Sequence, residues 1–209
     1  MKTIDFYFDF LSPYAHLAFE ALPQQLAGVS HRVAYKPILF AALLQKHGQR
    51  GPAEIDGKRD WTYRQVLWQA HAHGIRLDLP QAHPFNPLAL LRLAMACGGR
   101  EPNRQICETI FHHVWHGGAA ADDAARLHAL AQSLAPARDP QSDAVKADLR
   151  ANTDAALALG LFGVPSFVVD DHVFWGFDAL PMLRAFLDGD PWFDTAWSQA
   201  AKVTPGVRR

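Results

Sequence analysis

The chain has 209 residues, 49% of them hydrophobic, with 13 Phe and 6 Trp, so one domain, or one carrying a large insertion, can bury a substantial core. Its 20 Lys and Arg face 21 Asp and Glu, a formal net charge of -1, which removes the electrostatic case for nucleic acid or an anionic membrane. No apolar run approaches the roughly 18 residues that span a bilayer, and the start of the chain lacks an apolar signal core, so a cytoplasmic protein is the expectation.

The chain opens on alternation. In residues 3–10, Ile4, Phe6, Phe8 and Phe10 share one parity while Asp5, Tyr7 and Asp9 take the other, the period of a strand. Ser12-Pro13 reads as N-cap and first turn of a helix over 13–27. Residues 31–36 form a second strand, giving β-α-β. A helical middle follows. Ile38 to His47 starts it, 48–57 is a Gly/Pro loop, and 58–73, 87–97 and 102–116 read as helices. Asp122 or Asp123 caps another helix to about Leu134, and 140–159 forms a further one. Cys97 and Cys107 fall in these helical stretches. Ten residues along one helix would separate them by about 15 Å, too far for a disulfide.

The pattern then reverts. Pro165-Ser166 leads into the strand Phe167-Val168-Val169, Asp170-Asp171 turns, and His172 to Trp175 returns as a hairpin. Asp178 reads as the cap of a helix with Leu180, Leu183, Phe186 and Leu187 on one face. Residues 190–209 read as a loosely ordered tail anchored by Trp192, Phe193 and Trp197. A β-α-β half and a β-β-α half predict an α/β, thioredoxin-like four-stranded mixed sheet. Residues 1–37 and 158–209 form that domain, with an all-helical domain, 38–157, inserted.

Ser12 stands at the strand-to-helix junction. A helix N-terminus offers free N–H groups and roughly half a positive charge, which stabilises a thiolate there. A serine cannot form a disulfide, but it can donate O–H to the sulfur of an external thiol. The absence of C-x-x-C argues against disulfide exchange. The same serine read blandly is only a cap. Pro165, if cis, would present the Val164 backbone to a peptide-like ligand; if trans, it only begins a strand. His16, one turn after Ser12, makes a Ser–His nucleophile pair conceivable, but no Gly-x-Ser-x-Gly elbow accompanies it. His112 and His116 share one side of a helix, yet no HExxH and no third ligand at a recognisable spacing follow, so they read as a polar stripe and no metal is predicted.

Three stretches taken together resemble a known family: Phe8-Asp9-Phe10-Leu11-Ser12-Pro13-Tyr14, Phe162-Gly163-Val164-Pro165-Ser166-Phe167, and Phe174-Trp175-Gly176-Phe177-Asp178. In order and spacing they resemble 2-hydroxychromene-2-carboxylate isomerases, which are related to kappa-class glutathione transferases and more remotely to DsbA-type oxidoreductases. The resemblance implies glutathione as cofactor, with Ser12 on its sulfur, Val164 and the cis-proline Pro165 on its cysteinyl part, and Asp178 on its γ-glutamyl end. It implies a small aromatic acid as substrate, with Lys58 and Asn86 as substrate contacts, a role in aromatic catabolism, and a homodimer. The implied reaction is a glutathione-dependent cis-trans isomerisation. A kappa-type transferase and a non-catalytic thiol-peptide binding module are the alternatives. Three positions depart from the family pattern: Phe177 replaces a polar residue that helps hold glutathione, Gln49 a common asparagine, and His16 a frequent aromatic.

Overall fold

A computed structural model describes residues 1–99, 101–204 and 206. Strand β1 (Lys2–Phe8), helix α1 (Pro13–Gln25) and strand β2 (His31–Pro37) form the first half. The middle holds α2 (Phe40–Lys46), α3 (Lys58–Ala72), α4 (Leu88–Cys97), α5 (Arg104–Trp115), α6 (Ala124–Leu134) and α7 (Asp143–Ala158). Strands β3 (Ser166–Val169) and β4 (His172–Trp175), then α8 (Leu180–Leu187) and α9 (Trp192–Thr195), complete the chain.

Polar caps start several helices. Ser12 caps α1, Asn103 caps α5, Asp123 caps α6 and Ser142 caps α7, each side chain accepting a backbone N–H of the first turn. The helices predicted from 102 and from 140 therefore begin later, at the residue after the cap.

The sheet order is β2-β1-β3-β4. β1 runs parallel to β2, from Lys2 opposite His31 to Phe8 opposite Pro37, and antiparallel to β3, with Tyr7 opposite Ser166. Asp170 and Asp171 both take positive φ, 46° and 65°, as a two-residue hairpin turn requires. This is the thioredoxin-like mixed sheet expected.

Both faces of β1 are covered. Ile4, Phe6, Phe8 and Phe10 enter one continuous core with Phe19 of α1 and with Leu91, Met95, Phe111 and Trp115 of the inserted helices. Phe6 stacks on Phe167 across the strands, ring centroids 4.7 Å apart. On the opposite face Tyr7 packs with Ile38, Leu43, Ala156, Leu161 and Val164.

The tail is more regular than predicted. After α9, a 3-10 turn spans Trp197–Lys202. Phe193 and Trp197, one helical turn apart, pack on Phe174 at 6.0 and 5.6 Å. Trp192 is 46% exposed and meets Phe193 edge-on at 5.1 Å, so Phe193 and Trp197 supply most of the anchor. Positions 205 and 207–209 of the predicted tail lie outside the described residues. Cys97 and Cys107 sit on separate helices, α4 and α5, and both are free thiols.

Candidate active site at the start of α1

The turn that links β1 to α1 is anchored from every side. Ser12 N–H donates to the Asp9 carbonyl at 3.0 Å. Trp115 Nε1 of α5 donates to the Phe10 carbonyl at 3.0 Å. His83 Nε2, from the connection between α3 and α4, donates to the Leu11 carbonyl at 2.8 Å. The Asp9 carboxylate accepts from Leu11 N–H and from Phe40 N–H of α2, both at 3.0 Å. Asp9 is fully buried, and burial pushes its carboxyl up to about 7, outweighing the two N–H groups that act the other way.

This scaffold fixes Ser12. Its Oγ accepts from Ala15 N–H at 3.2 Å, and the hydroxyl proton has no acceptor among the described residues. Pro13 carries no N–H, and the Tyr14 N–H makes no hydrogen bond among the described residues. The site therefore offers a spare O–H, a spare N–H and the positive end of a helix dipole, a donor set for an anion such as a thiolate.

The Val164–Pro165 peptide is cis. Continuing the β1–β3 register one step beyond Tyr7 and Ser166 brings Pro165 opposite Phe8, at the head of the turn. The Pro165 carbonyl accepts from Gly176 N–H at 2.9 Å, while neither the N–H nor the C=O of Val164 makes a hydrogen bond among the described residues. That leaves an open peptide edge beside the serine turn. Phe162 and Trp175, both exposed, meet at a tilt with ring centroids 4.8 Å apart on its flank.

Gly176 carries the chain onward at φ 101°, a conformation reserved for glycine, into the 3-10 turn Phe177–Ala179. Asp178 lies inside that turn and caps nothing: neither the turn nor α8 has a side-chain cap bond. This corrects the expected cap. The helix starts at Leu180, so a carboxylate two residues earlier lies outside the N-cap position. The Asp178 carboxylate is exposed and makes no hydrogen bond or ion pair among the described residues. It stands near Tyr14, whose phenol is pushed up first by burial and second by the Asp178 charge.

The family model of the DSBA-like thioredoxin domain matches residues 3–188. The chain belongs to the DsbA-like thioredoxin family. A 2-hydroxychromene-2-carboxylate isomerase of Sphingobium xenophagum is 28% identical over 193 residues, covering 89% of this chain and 98% of that protein. Glutathione S-transferase kappa 2 of Caenorhabditis elegans is 26% identical over 208 residues, covering 89% and 92%. The crystal structure of a 2-hydroxychromene-2-carboxylate isomerase superposes with a TM-score of 0.76 at 24% identity, over 97% of this chain and 100% of that one, and so shares the fold.

In this DsbA-like chain, the β1–β3 register sets Pro165, and with it Val164, beside the turn that carries Ser12, and Asp178 stands near Tyr14 at the same helix start. Among the described residues no hydrogen bond ties Lys58 or Asn86 to the serine turn. Lys58 is the exposed first residue of α3 and has no ion pair among the described residues. Asn86 is exposed before α4, its Oδ1 accepting from Leu88 N–H at 3.1 Å. Phe177 turns inward, 8% exposed, and meets His73 edge-on at 4.9 Å.

The Ser–His pair is not formed. His16 is fully buried, and its Nε2 donates to the Arg76 carbonyl at 2.9 Å, not to Ser12. One turn along a helix carries the ring to the next packing layer, against α5. Sequence reasoning missed Asp9, His83 and Trp115 as site supports. Alternation put Asp9 opposite the phenylalanines, which says nothing of a second buried face. His83 and Trp115 reach the turn only through long-range packing.

Proposed function

We propose that the chain binds glutathione as its thiolate and uses it to isomerise an unsaturated aromatic carboxylic acid between cis and trans forms. The observation that carries this reading is a serine hydroxyl with an unused proton at the N-terminus of α1, next to the unpaired backbone edge of Val164. A cysteine there would exchange disulfides; a serine leaves the sulfur to the ligand. Relatives described as 2-hydroxychromene-2-carboxylate isomerases support the isomerase reading, and a relative described as a kappa glutathione S-transferase supports glutathione as the thiol.

In this mechanism Ser12 O–H and the α1 dipole hold the sulfur as thiolate. Val164 N–H and C=O pair with the cysteinyl backbone as an added strand would, and the free Asp178 carboxylate takes the γ-glutamyl ammonium. The thiolate adds to the electron-poor carbon of the acid, forming C–S and turning C=C into a single bond. Rotation follows, the C–S bond breaks, and the double bond re-forms with the thiolate regenerated. Lys58 and Asn86 orient the substrate. A kappa-type transferase would share the first step and keep the conjugate.

Calorimetric titration of glutathione into the wild type and Ser12→Ala, with S-methylglutathione as control, tests the binding. The expected result is binding that weakens at least tenfold in the variant and is weak for the methylated thiol. No heat and no thermal shift at millimolar glutathione would overturn it. A conjugate that accumulates with an unsaturated aromatic acid would favour the transferase.

A further inference from the structure

The back of α1 carries a second group of chemically matched side chains. Glu20 lies eight residues after Ser12, about 12 Å along the helix and on a different part of the molecule from the serine turn. It meets Glu108 and His112 of α5: one ligand-capable atom from each of the three lies within 4.8 Å of the others. His112 Nε2 is 2.9 Å from Glu20 Oε1. His116, one turn beyond, stacks face to face on His112 at 4.0 Å and fixes its ring plane. Arg104 approaches Glu108 only to 3.9 Å, its guanidinium lying over the Phe19 ring at 4.1 Å.

We infer that Glu20, Glu108 and His112 bind one divalent first-row transition cation, such as Zn²⁺, which clamps α1 to α5. The charge fits, because two carboxylates and a neutral imidazole balance a dication. The donor types fit, because an imidazole nitrogen selects a transition metal over Mg²⁺ or Ca²⁺. Ligands on one zinc stand about 3.5 Å apart, so the three side chains close on the ion by small rotamer shifts, which their partial exposure permits.

A second observation points the same way. His16, fully buried on α1, lies beside His112, ring centroids 6.3 Å apart, and beside His116 at 5.6 Å. Its Nε2–H is held by the Arg76 carbonyl, and its Nδ1 has no partner among the described residues. Burying that nitrogen without a partner is costly, and a water on an ion held by the neighbouring carboxylates and His112 would supply one. Metal binding moves the His112 proton to Nδ1 and frees Nε2 for the ion.

The inference is independent of the glutathione reading. Its test is titration of Zn²⁺ and, for spectroscopy, Co²⁺ into chelator-treated full-length protein. The expected result is one equivalent bound, visible d–d absorption with Co²⁺, and an unfolding temperature raised by Zn²⁺ but not by Mg²⁺. Glu20→Gln and His112→Ala should each weaken binding at least tenfold, while His71→Ala, on exposed α3, leaves it unchanged. Glu20→Gln keeps an amide oxygen for the His112 N–H, so it preserves the fold. The inference fails if no stoichiometric binding occurs, or if binding survives in both Glu20→Gln and His112→Ala.

Discussion

His83 reaches from the α3–α4 connection to the Leu11 carbonyl, one residue ahead of Ser12, with Nε2 at 2.8 Å. A carbonyl only accepts, so Nε2 carries the proton and Nδ1 accepts from Tyr63 Oη, also 2.8 Å away. Burial pulls the His83 imidazole below its ordinary range and keeps it neutral, as this chain of donors needs. His83→Phe keeps the ring and removes both bonds. Glutathione affinity should fall about five- to tenfold, the equivalent of roughly 1 kcal/mol for one lost positioning bond. Tyr63→Phe should weaken it less. Calorimetry on both variants checks the order.

Asp9 makes stability depend on pH. Its carboxyl ionises near 3.8 when unfolded and at about 7 in the fold. Between those values the native state holds a proton that the unfolded state has lost, so stability falls as pH rises. The slope is about 1.4 kcal/mol per pH unit, roughly 4 kcal/mol in all. Asp9→Asn cannot ionise. The difference in unfolding free energy between wild type and Asp9→Asn, from denaturant melts at pH 4 to 8, should shift by that slope. A flat difference would show that Asp9 stays ionised. Asp9→Ala leaves two buried N–H groups without acceptors and should cost about 2–4 kcal/mol.

Ser12→Cys places a thiol at the end of the α1 dipole. Its reaction with iodoacetamide should titrate well below the usual 8.5 of a free cysteine. The native thiols should react more slowly near neutral pH, since burial pushes Cys97 up and Cys107 well up. A normal thiol titration at position 12 would count against a helix-stabilised anion site.

Gly176 has no room for a side chain. A Cβ there would stand 2.4 Å from Asp178 Oδ1, and φ 101° disfavours any residue but glycine. Gly176→Ala should cost about 1–3 kcal/mol in thermal melts and displace the Asp178 carboxylate. By the proposed role of Asp178, glutathione affinity should drop with it. Asp178→Asn should lose the affinity without the stability, separating the two effects.

Trp175 leaves little room over the backbone before the cis-proline: a Cβ on Gly163 would meet its Nε1 at 2.4 Å. Half exposed and tilted against Phe162, the indole lies over Gly163, next to the open Val164 edge. Trp175→Ala should therefore change fold stability little and reduce glutathione affinity several-fold, measurable in the same titrations.

Much of this was legible in the residues themselves. The alternation of Ile4, Phe6, Phe8 and Phe10, the Ser12-Pro13 start of α1, the Asp170-Asp171 hairpin and the helical middle are local patterns, and local sterics and capping decide them. Their order is enough to specify the mixed sheet, because β-α-β and β-β-α halves have few ways to join. Asp178 does not cap α8 because a 3-10 turn intervenes, and turn type is not set by one acidic residue.

What only the tertiary structure decided are the partnerships at long range. His83 and Trp115 anchor the serine turn from 72 and 105 residues away. Asp9 is buried because α2 covers the face that alternation alone leaves undefined. His112 and His116 were visible as one stripe, but Glu20 joins them from 92 residues away, on a helix that helical spacing within α5 cannot see. Sequence periodicity reports which side of its own element a residue occupies. Which other element covers that side is settled by the packing of the whole core, and the hydrogen bonds and charges of both sites depend on it.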